Sequence, residues 1–545
     1  NAQDTDEHGT AVCDDGADND LDATSDYKLT GGDLGCASLT DTNERGASVC
    51  DNGADDDNDG RTDFSTDSNL NDPGCSGPTD TTEKCAAGAG CPQCDDSADN
   101  DNDGLSDYNL NATVADPGCS GVTDNDERGG TLVCDNGNDD DTDGTRDFRL
   151  DGTGDICCTS LNTSTEACAC ATKIAGGTEH TCAIKGSGLT FCWGDNANGQ
   201  LGNNSTNDSH VPVQVTATNL SVAVQVAAGD RHTCARKQDN KVYCWGLNTS
   251  GQVGDASNTQ RTNPTAVSAT NLTAATDVAT GLNHSCAVKT DGTVWCWGKN
   301  DSGQLGNNSQ TNSNVPVQVQ GLPALTTATA TDVAAGEAHS CARLSNGTVW
   351  CWGKNDVGQL ADNTNTMRLI AVQSLKPKSG PAVFQPITSA SAVVTGKNHS
   401  CALLSGGGVQ CWGEGSNGQL GNSASNDAKL AVNVSNLADA ADLVAGQDHT
   451  CAKRSGGTEV CWGTNTSGQL GDHTSTNRNA PVTVQLATNG SPMSGVSAIG
   501  AGGAHSCALT STVTAECWGS NTQGQLGDNT IVPKDQASPV SITCP

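Results

Sequence analysis

The chain is predicted to be all-β: a β-propeller preceded by an irregular, disulfide-stapled calcium-binding repeat domain. Three observations carry the prediction. One phrase recurs seven times between residues 178 and 527, an Asp-rich phrase recurs four times before residue 170, and the 28 cysteines include a regularly spaced pair in every copy of both. The boundary is expected at residue 170, with four repeats in 1–170 and the propeller in 171–545.

The N-terminal phrases read CDDGADNDLDATSDY from Cys13, CDNGADDDNDGRTDF from Cys50, CDDSADNDNDGLSDY from Cys94 and CDNGNDDDTDGTRDF from Cys134. Each places Asp at relative positions 1, 3, 5 and 9 of a loop. These are Asp18, Asp20, Asp22 and Asp26; Asp55, Asp57, Asp59 and Asp63; Asp99, Asp101, Asp103 and Asp107; and Asp139, Asp141, Asp143 and Asp147. Calcium takes about six to eight oxygens, and alternating Asp around a glycine turn, such as Gly60, is how an EF-hand-like loop gathers them. The five Asp between Asp55 and Asp63 repel one another until a divalent ion neutralises them. One Ca²⁺ per repeat is expected, and Asp51, Asp72 and Asp80 offer ligands for a second. A cysteine and, eight residues on, an acid close each repeat: Cys36 and Glu44, Cys75 and Glu83, Cys119 and Glu127, Cys158 and Glu166. The phrases resemble thrombospondin type 3 calcium repeats and the Asp-rich modules of secreted bacterial proteins. That resemblance implies a calcium-bound irregular coil.

The first copy of the longer phrase runs HTCAIKGSGLTFCWGDNANGQLG from His180 to Gly202. Copies start at His180, His232, His284, His339, His399, His449 and His505, at spacings of 52, 52, 55, 60, 50 and 56 residues, the period of a propeller blade. Stretches such as Thr-Val-Trp-Cys-Trp at 293–297 are β-branched and aromatic, and Gly, Asn, Asp or Ser lies between the two cysteines, so each copy holds a tight hairpin. Cysteines ten positions apart, from Cys182 and Cys192 to Cys507 and Cys517, then face each other across the hairpin, about 4.5–5.5 Å between Cα atoms. Seven intra-blade disulfides are expected.

The G-x-x-H-[ST] opening, the Trp-Gly after the second cysteine and the G-Q-L-G tag resemble the regulator of chromosome condensation family over roughly residues 171–545. The resemblance implies a seven-bladed β-propeller. The paired cysteines depart from the family pattern.

The formal charge of −37 is concentrated ahead of the propeller: residues 1–170 carry 41 acids against 7 bases (−34), and the rest 23 against 20 (−3). Nucleic acid, which is bound through clustered Lys and Arg, is not expected as a partner. Regular, even cysteine spacing reads as the disulfide framework of an extracellular protein. No apolar run approaches the roughly eighteen residues of a membrane span. No basic-then-apolar signal opens the chain, so Asn1 is read as a processed N-terminus.

A ring of seven equivalent histidines invites a catalytic or metal reading. A residue repeated in every blade more often serves packing or a hydrogen bond, and the Trp of Cys-Trp-Gly is likewise read as a packing residue between blades. The fourth repeat is the odd one: its tag reads GQLA, and Met367 to Ala390, with Arg368, Lys376 and Lys378, is read as a tolerated insertion, with a decorated loop for a partner as the alternative. No nucleophile elbow, phosphate loop or HExxH is present, so an enzyme is not expected. Asn-x-Ser/Thr triplets occur at Asn111, Asn162, Asn248, Asn271, Asn346 and Asn465.

The first functional expectation is a secreted, calcium-stabilised structural protein, a self-associating subunit of an extracellular filament, fibre or surface coat. DTDEHG at 4–9 matches the end of an acidic repeat without its loop, a half-module suited to head-to-tail contact between subunits, with processing from a longer precursor as the alternative. The alternative is an adhesin or inhibitor that grips a protein or glycan with one propeller face. Further expected bridges are Cys13 with Cys36, Cys50 with Cys75, Cys94 with Cys119, Cys134 with Cys158, Cys85 with Cys91, Cys157 with Cys168, and a ring clasp, Cys170 with Cys544, for which a bond from Cys544 to a neighbouring subunit is the alternative. Calcium should bind at about 10⁻⁴–10⁻³ M. EDTA is then expected to expose 1–170 to protease and leave 171–545 intact; limited proteolysis with mass mapping checks this, and unchanged cleavage of the N-terminal part removes the calcium assignment.

Overall fold

The computed structural model describes residues 171–540 apart from 187, 217–219, 221, 269–271, 379–382, 488–489 and 511–514. The sixteen Asp positions, the four repeat disulfides, the pairs Cys85 with Cys91 and Cys157 with Cys168, and the Cys170 with Cys544 clasp lie outside the described residues.

Each long phrase forms the second and third strands of a four-stranded antiparallel blade. In blade 1 the strands Lys173–Gly176, His180–Ile184, Thr190–Gly194 and Ser209–Gln214 pair in sequence order. Blades 2 to 7 open with Ala223–Ala228, Ala275–Thr280, Ala330–Ala335, Ala390–Thr395, Ala440–Ala445 and Val496–Ala501 and keep that order. Every blade therefore uses four consecutive strands, and no exchanged strand closes the ring. The cysteines stand directly opposite each other, Cys182 with Cys192 through Cys507 with Cys517. All seven expected bridges are closed, with Cα atoms 4.0–4.1 Å apart.

The core is a set of wedges between blades. The disulfide Cys286–Cys296, Val288 and Leu305 of blade 3 pack against Val333, Leu344 and Trp352 of blade 4. The closing wedge sets Cys507, Cys517 and Leu526 of blade 7 against Ile174 and Trp193 of blade 1. The seven Trp of Cys-Trp-Gly are wholly buried, and removing one such side chain costs about 3–5 kcal/mol.

One polar joint repeats at every blade boundary. His180 Nε2 meets Thr233 Oγ1 of the next blade at 2.9 Å, and the Thr233 hydroxyl donates to the Gln200 carbonyl of the first blade at 2.8 Å. Trp245 Nε1 donates to the same carbonyl at 2.9 Å. The pattern runs through Ser285, Ser340, Ser400, Thr450 and Ser506, and closes where His505 meets Thr181 at 2.8 Å and Trp193 donates to the Gln525 carbonyl at 2.9 Å. A hydroxyl has one proton, and here it goes to the carbonyl, so His must donate from Nε2. Each Nδ1 is then a bare acceptor, and all seven are buried without a partner. Burial first of all holds these imidazoles neutral, down to about 3 for His180, His284, His339, His399 and His505 and to about 4 for His232 and His449. The structural reading of the histidines holds.

Two glycine positions are fixed by these joints. A Cβ on the glycine three residues before each His, as at Gly177, would run into that His ring and a glycine carbonyl of the next blade. The last tag glycine, as at Gly202 (φ 69°), lies against the next blade's indole. In the fourth copy Ala361 takes this left-handed conformation (φ 55°) and is buried in the wedge that holds Trp412. The fourth-repeat insertion divides: Arg368–Gln373 is the outer strand of blade 4, and Leu375–Pro377 pairs with Phe384–Pro386 as a hairpin beside Ala428–Asn433 of blade 5.

Glu459 breaks the pattern. It is wholly buried where blades 2 to 5 carry Val242, Val294, Val349 and Val409, and its Oε2 has no partner. Burial, with Asp442 adding, drives its carboxyl well above the ordinary range. The protonated form is thus the one the fold favours, so its contribution is full below about pH 4.5 and is lost as pH rises through the folded value. Glu459→Val is expected to stabilise the propeller at pH 8 by about 1–3 kcal/mol, with a smaller gain at pH 4.5. Denaturant titrations at both pH values check it.

The histidines carry the opposite sign. Their folded values lie below the unfolded one, so their contribution is full above about pH 6.5 and is lost as pH falls toward 4. All nine Trp lie in 171–545, so indole fluorescence reports the propeller alone. Its stability is expected to fall steeply below pH 6, and His339→Gln to reduce that slope by about 1.4 kcal/mol per pH unit. An unchanged slope would show that the buried imidazole is not held neutral in the folded state.

Candidate functional site at the channel mouth

The turns between first and second strands bring seven equivalent residues to one end of the central channel: Thr178, Asp230, Leu282, Glu337, Lys397, Gln447 and Gly503. They rim a pit of about 80 Å³ whose wall is the Gly, Ala and Thr of the seven inner strands. Backbone bonds stitch the rim from blade to blade, for example Thr178 N to Gly229 O at 3.0 Å, Lys397 N to Gln447 O at 2.8 Å and Gly503 N to Gly177 O at 2.9 Å. A second ring follows in the chain: Glu179, Arg231, Asn283, Ala338, Asn398, Asp448 and Ala504. Their carbonyls accept from the residues after Cys-Trp-Gly, as in Asp195 N to Glu179 O at 2.9 Å and Glu414 N to Asn398 O at 2.9 Å. The joints below are identical in all seven blades, whereas no two of the seven rim residues are the same.

Side chains link the rim unevenly. Gln447 Nε2 donates to Thr178 Oγ1 at 3.0 Å, passing blade 7, where Gly503 has no side chain to obstruct it. Thr178 in turn hydrogen-bonds the Asp230 carboxylate. Lys354 Nζ donates to Asn398 Oδ1 at 3.1 Å, and Asn398 Nδ2 to Glu414 Oε2 at 3.2 Å. Burial raises the Glu179 carboxyl, with Asp195 and Asp230 adding and Arg231 opposing. Burial also raises Asp230, opposed by Thr178 and by Arg231, which lies 3.8 Å away. Asp448 rises through burial and then Glu414, against Lys397.

The sixteen predicted calcium ligands lie outside the described residues. Among the described residues the grouping with metal-ligand proximity is Cys451, Glu459 and Cys461, and its cysteines are joined in a disulfide and offer no thiolate. Of the Asn-x-Ser/Thr triplets, Asn248 and Asn465 are buried loop braces, each accepting from a backbone N–H, that of Val253 or Leu470, while Asn346 is exposed in a hairpin turn. Asn111, Asn162 and Asn271 lie outside the described residues. Sequence reasoning overlooked the rim. Its signal was present, since one position in an otherwise fixed phrase changes chemistry in every copy.

Residues 217–544 match the RCC1-like domain, and residues 187–236 and 171–200 match the regulator of chromosome condensation (RCC1) repeat. Ultraviolet-B receptor UVR8 of Arabidopsis thaliana is 32% identical over 249 residues, 46% of this chain and 54% of the receptor. The probable E3 ubiquitin-protein ligase HERC6 of Homo sapiens is 32% identical over 251 residues, 46% of this chain and 24% of the ligase. The chain thus spans about half the length of the first relative and a quarter of the second. Human WBSCR16 superposes with a TM-score of 0.56 at 21% identity, covering 65% of this chain and 94% of that one. Prp20p of Saccharomyces cerevisiae gives 0.55 at 19%, covering 68% and 88%. At these identities the likeness shows the fold alone. The match over residues 217–544, more than half of the chain, makes this protein a member of the RCC1-like domain family, which implies a binding module.

Proposed function

We propose that the propeller is the protein-recognition module of an extracellular protein and that its mouth-side face is the contact surface. The observation that carries this reading is the asymmetry of the rim: Thr178, Asp230, Leu282, Glu337, Lys397, Gln447 and Gly503 all differ, on a scaffold held constant in seven copies. Function concentrates on loops set by a rigid scaffold. Yeast Prp20p, of the same fold, has binding properties to Gsp1p and histones. The reading is of a binding protein and not an enzyme: the seven histidines are consumed in the blade joints and held neutral. The extracellular assignment is supported by the pairing of all fourteen described cysteines. Residues 1–170 are read as a calcium-stabilised arm. The filament expectation rests on that part and draws no support from the propeller, so the binding reading is preferred.

A photo-crosslinking residue at position 178 is expected to capture a protein partner from the native extracellular fraction, while the same residue at position 239, in a turn of the opposite face, captures none. Equal yields from both positions sink the reading.

A further inference from the structure

We infer that the channel mouth receives one cationic side chain, the tip of a lysine or arginine presented by the protein partner. The inference rests on the mouth-side face being the contact surface. Three observations on size, charge and shape support it.

The pit is a consequence of the fold. The glycines of the G-x-x-H turns cannot carry a side chain, because a Cβ would meet the His ring and the next blade's carbonyl. The wall therefore stays open, and a pit of about 80 Å³ is left at the channel mouth. That admits an ammonium or guanidinium tip.

The charges around the pit are unbalanced once existing partners are subtracted. Glu179, Asp195 and Asp230 stand on the side of blades 1 and 2, and Glu337, Glu414 and Asp448 on the side of blades 4 to 6. Four cations share these rings, but Lys299 is bound to Asp301 at 3.0 Å and Lys354 to Asp356 at 3.5 Å, both on the outer loops. With Arg231 set against Asp230, 3.8 Å away, Lys397 remains to face the other five carboxylates. Burial and mutual repulsion hold the carboxyls of Glu179, Asp230 and Asp448 above their ordinary range, so an entering cation is stabilised where an anion is repelled. The shape agrees: Leu282 is the apolar side chain of the rim, placed to pack the aliphatic stem that lysine and arginine carry behind the charge.

The test uses the full chain in saturating calcium, with the capped peptide Gly-Gly-Arg-Gly-Gly and the same peptide with citrulline, which keeps the shape and removes the charge. At low ionic strength the arginine peptide is expected to bind at least tenfold more tightly. Asp230→Asn with Asp448→Asn should abolish that difference, and Asp239→Asn on the opposite face should leave it intact. Binding that survives the double substitution belongs to the acidic residues 1–170 and overturns the inference, as does equal binding of the two peptides. A second arm needs no ligand: Leu282→Arg fills the pit from within and is expected to melt above Leu282→Gln at low salt, with the gap closing in high salt. A gap that is absent or reversed at low salt overturns the inference. If the peptides bind alike while crosslinking from position 178 still selects the mouth side, the cationic occupant is wrong and the contact face stands. If crosslinking fails to distinguish the faces, the face itself is wrong.

Discussion

Everything in the propeller depends on one carbonyl per blade boundary. The Gln200 carbonyl and its six counterparts accept both a hydroxyl and an indole N–H from the next blade, filling both lone pairs. The hydroxyl gives its one proton to that carbonyl and takes its own hydrogen bond from the imidazole Nε2 behind it. Three side chains and one peptide group are thus interlocked, and none can be replaced without stranding a buried partner, at about 1–3 kcal/mol each. This accounts for the recurrence of His, Ser or Thr and Trp in every copy, with glycine where the His ring and the indole need room; the Gln recurs because its Oε1 accepts from the backbone N–H two residues before it, as from Asn198 at 2.9 Å.

The same joint closes the ring. A propeller whose last strand crosses into its first blade is held by a ladder of backbone bonds, and this one is not. Blades 7 and 1 meet through His505 with Thr181, Trp193 with the Gln525 carbonyl, and Gly503 with Gly177, the contacts that any two adjacent blades make, beside Asn529 N to His210 O at 3.0 Å. Among the described residues, closure is therefore made by the same contacts as an internal boundary. The disulfides act within blades: each pins a hairpin and fills the wedge against the next Trp, but none among the described residues links two blades.

A scaffold so fully specified frees the positions it does not use. The rim residues sit in turns whose backbone is fixed on both sides, by the glycine before and by the His after, and their side chains vary from blade to blade, except that a Cβ at Gly503 would meet the Thr178 carbonyl. Where the scaffold itself deviates, the cost is local. Ala361 takes up a left-handed backbone without leaving its wedge, and Glu459 places a carboxyl among apolar neighbours, where it is tolerated by staying protonated.

The sequence by itself determined the blade count, the hairpins and the seven bridges, because a strand pair joined by a short turn sets its own register and the Cys ten positions apart can only face each other. It also determined that the histidines are structural, since seven copies of one residue cannot form an asymmetric site. What the histidines bond to was beyond it: His180 and Thr233 are 53 residues apart and meet only when two blades stack. The rim was illegible for the same reason. Thr178, Asp230 and Gln447 read as unrelated turn residues until ring closure carries seven turns to one channel end, where Gln447 reaches across 269 residues of chain to Thr178. Local spacing decides what a hairpin does, and only closure of the ring decides which hairpins share a surface.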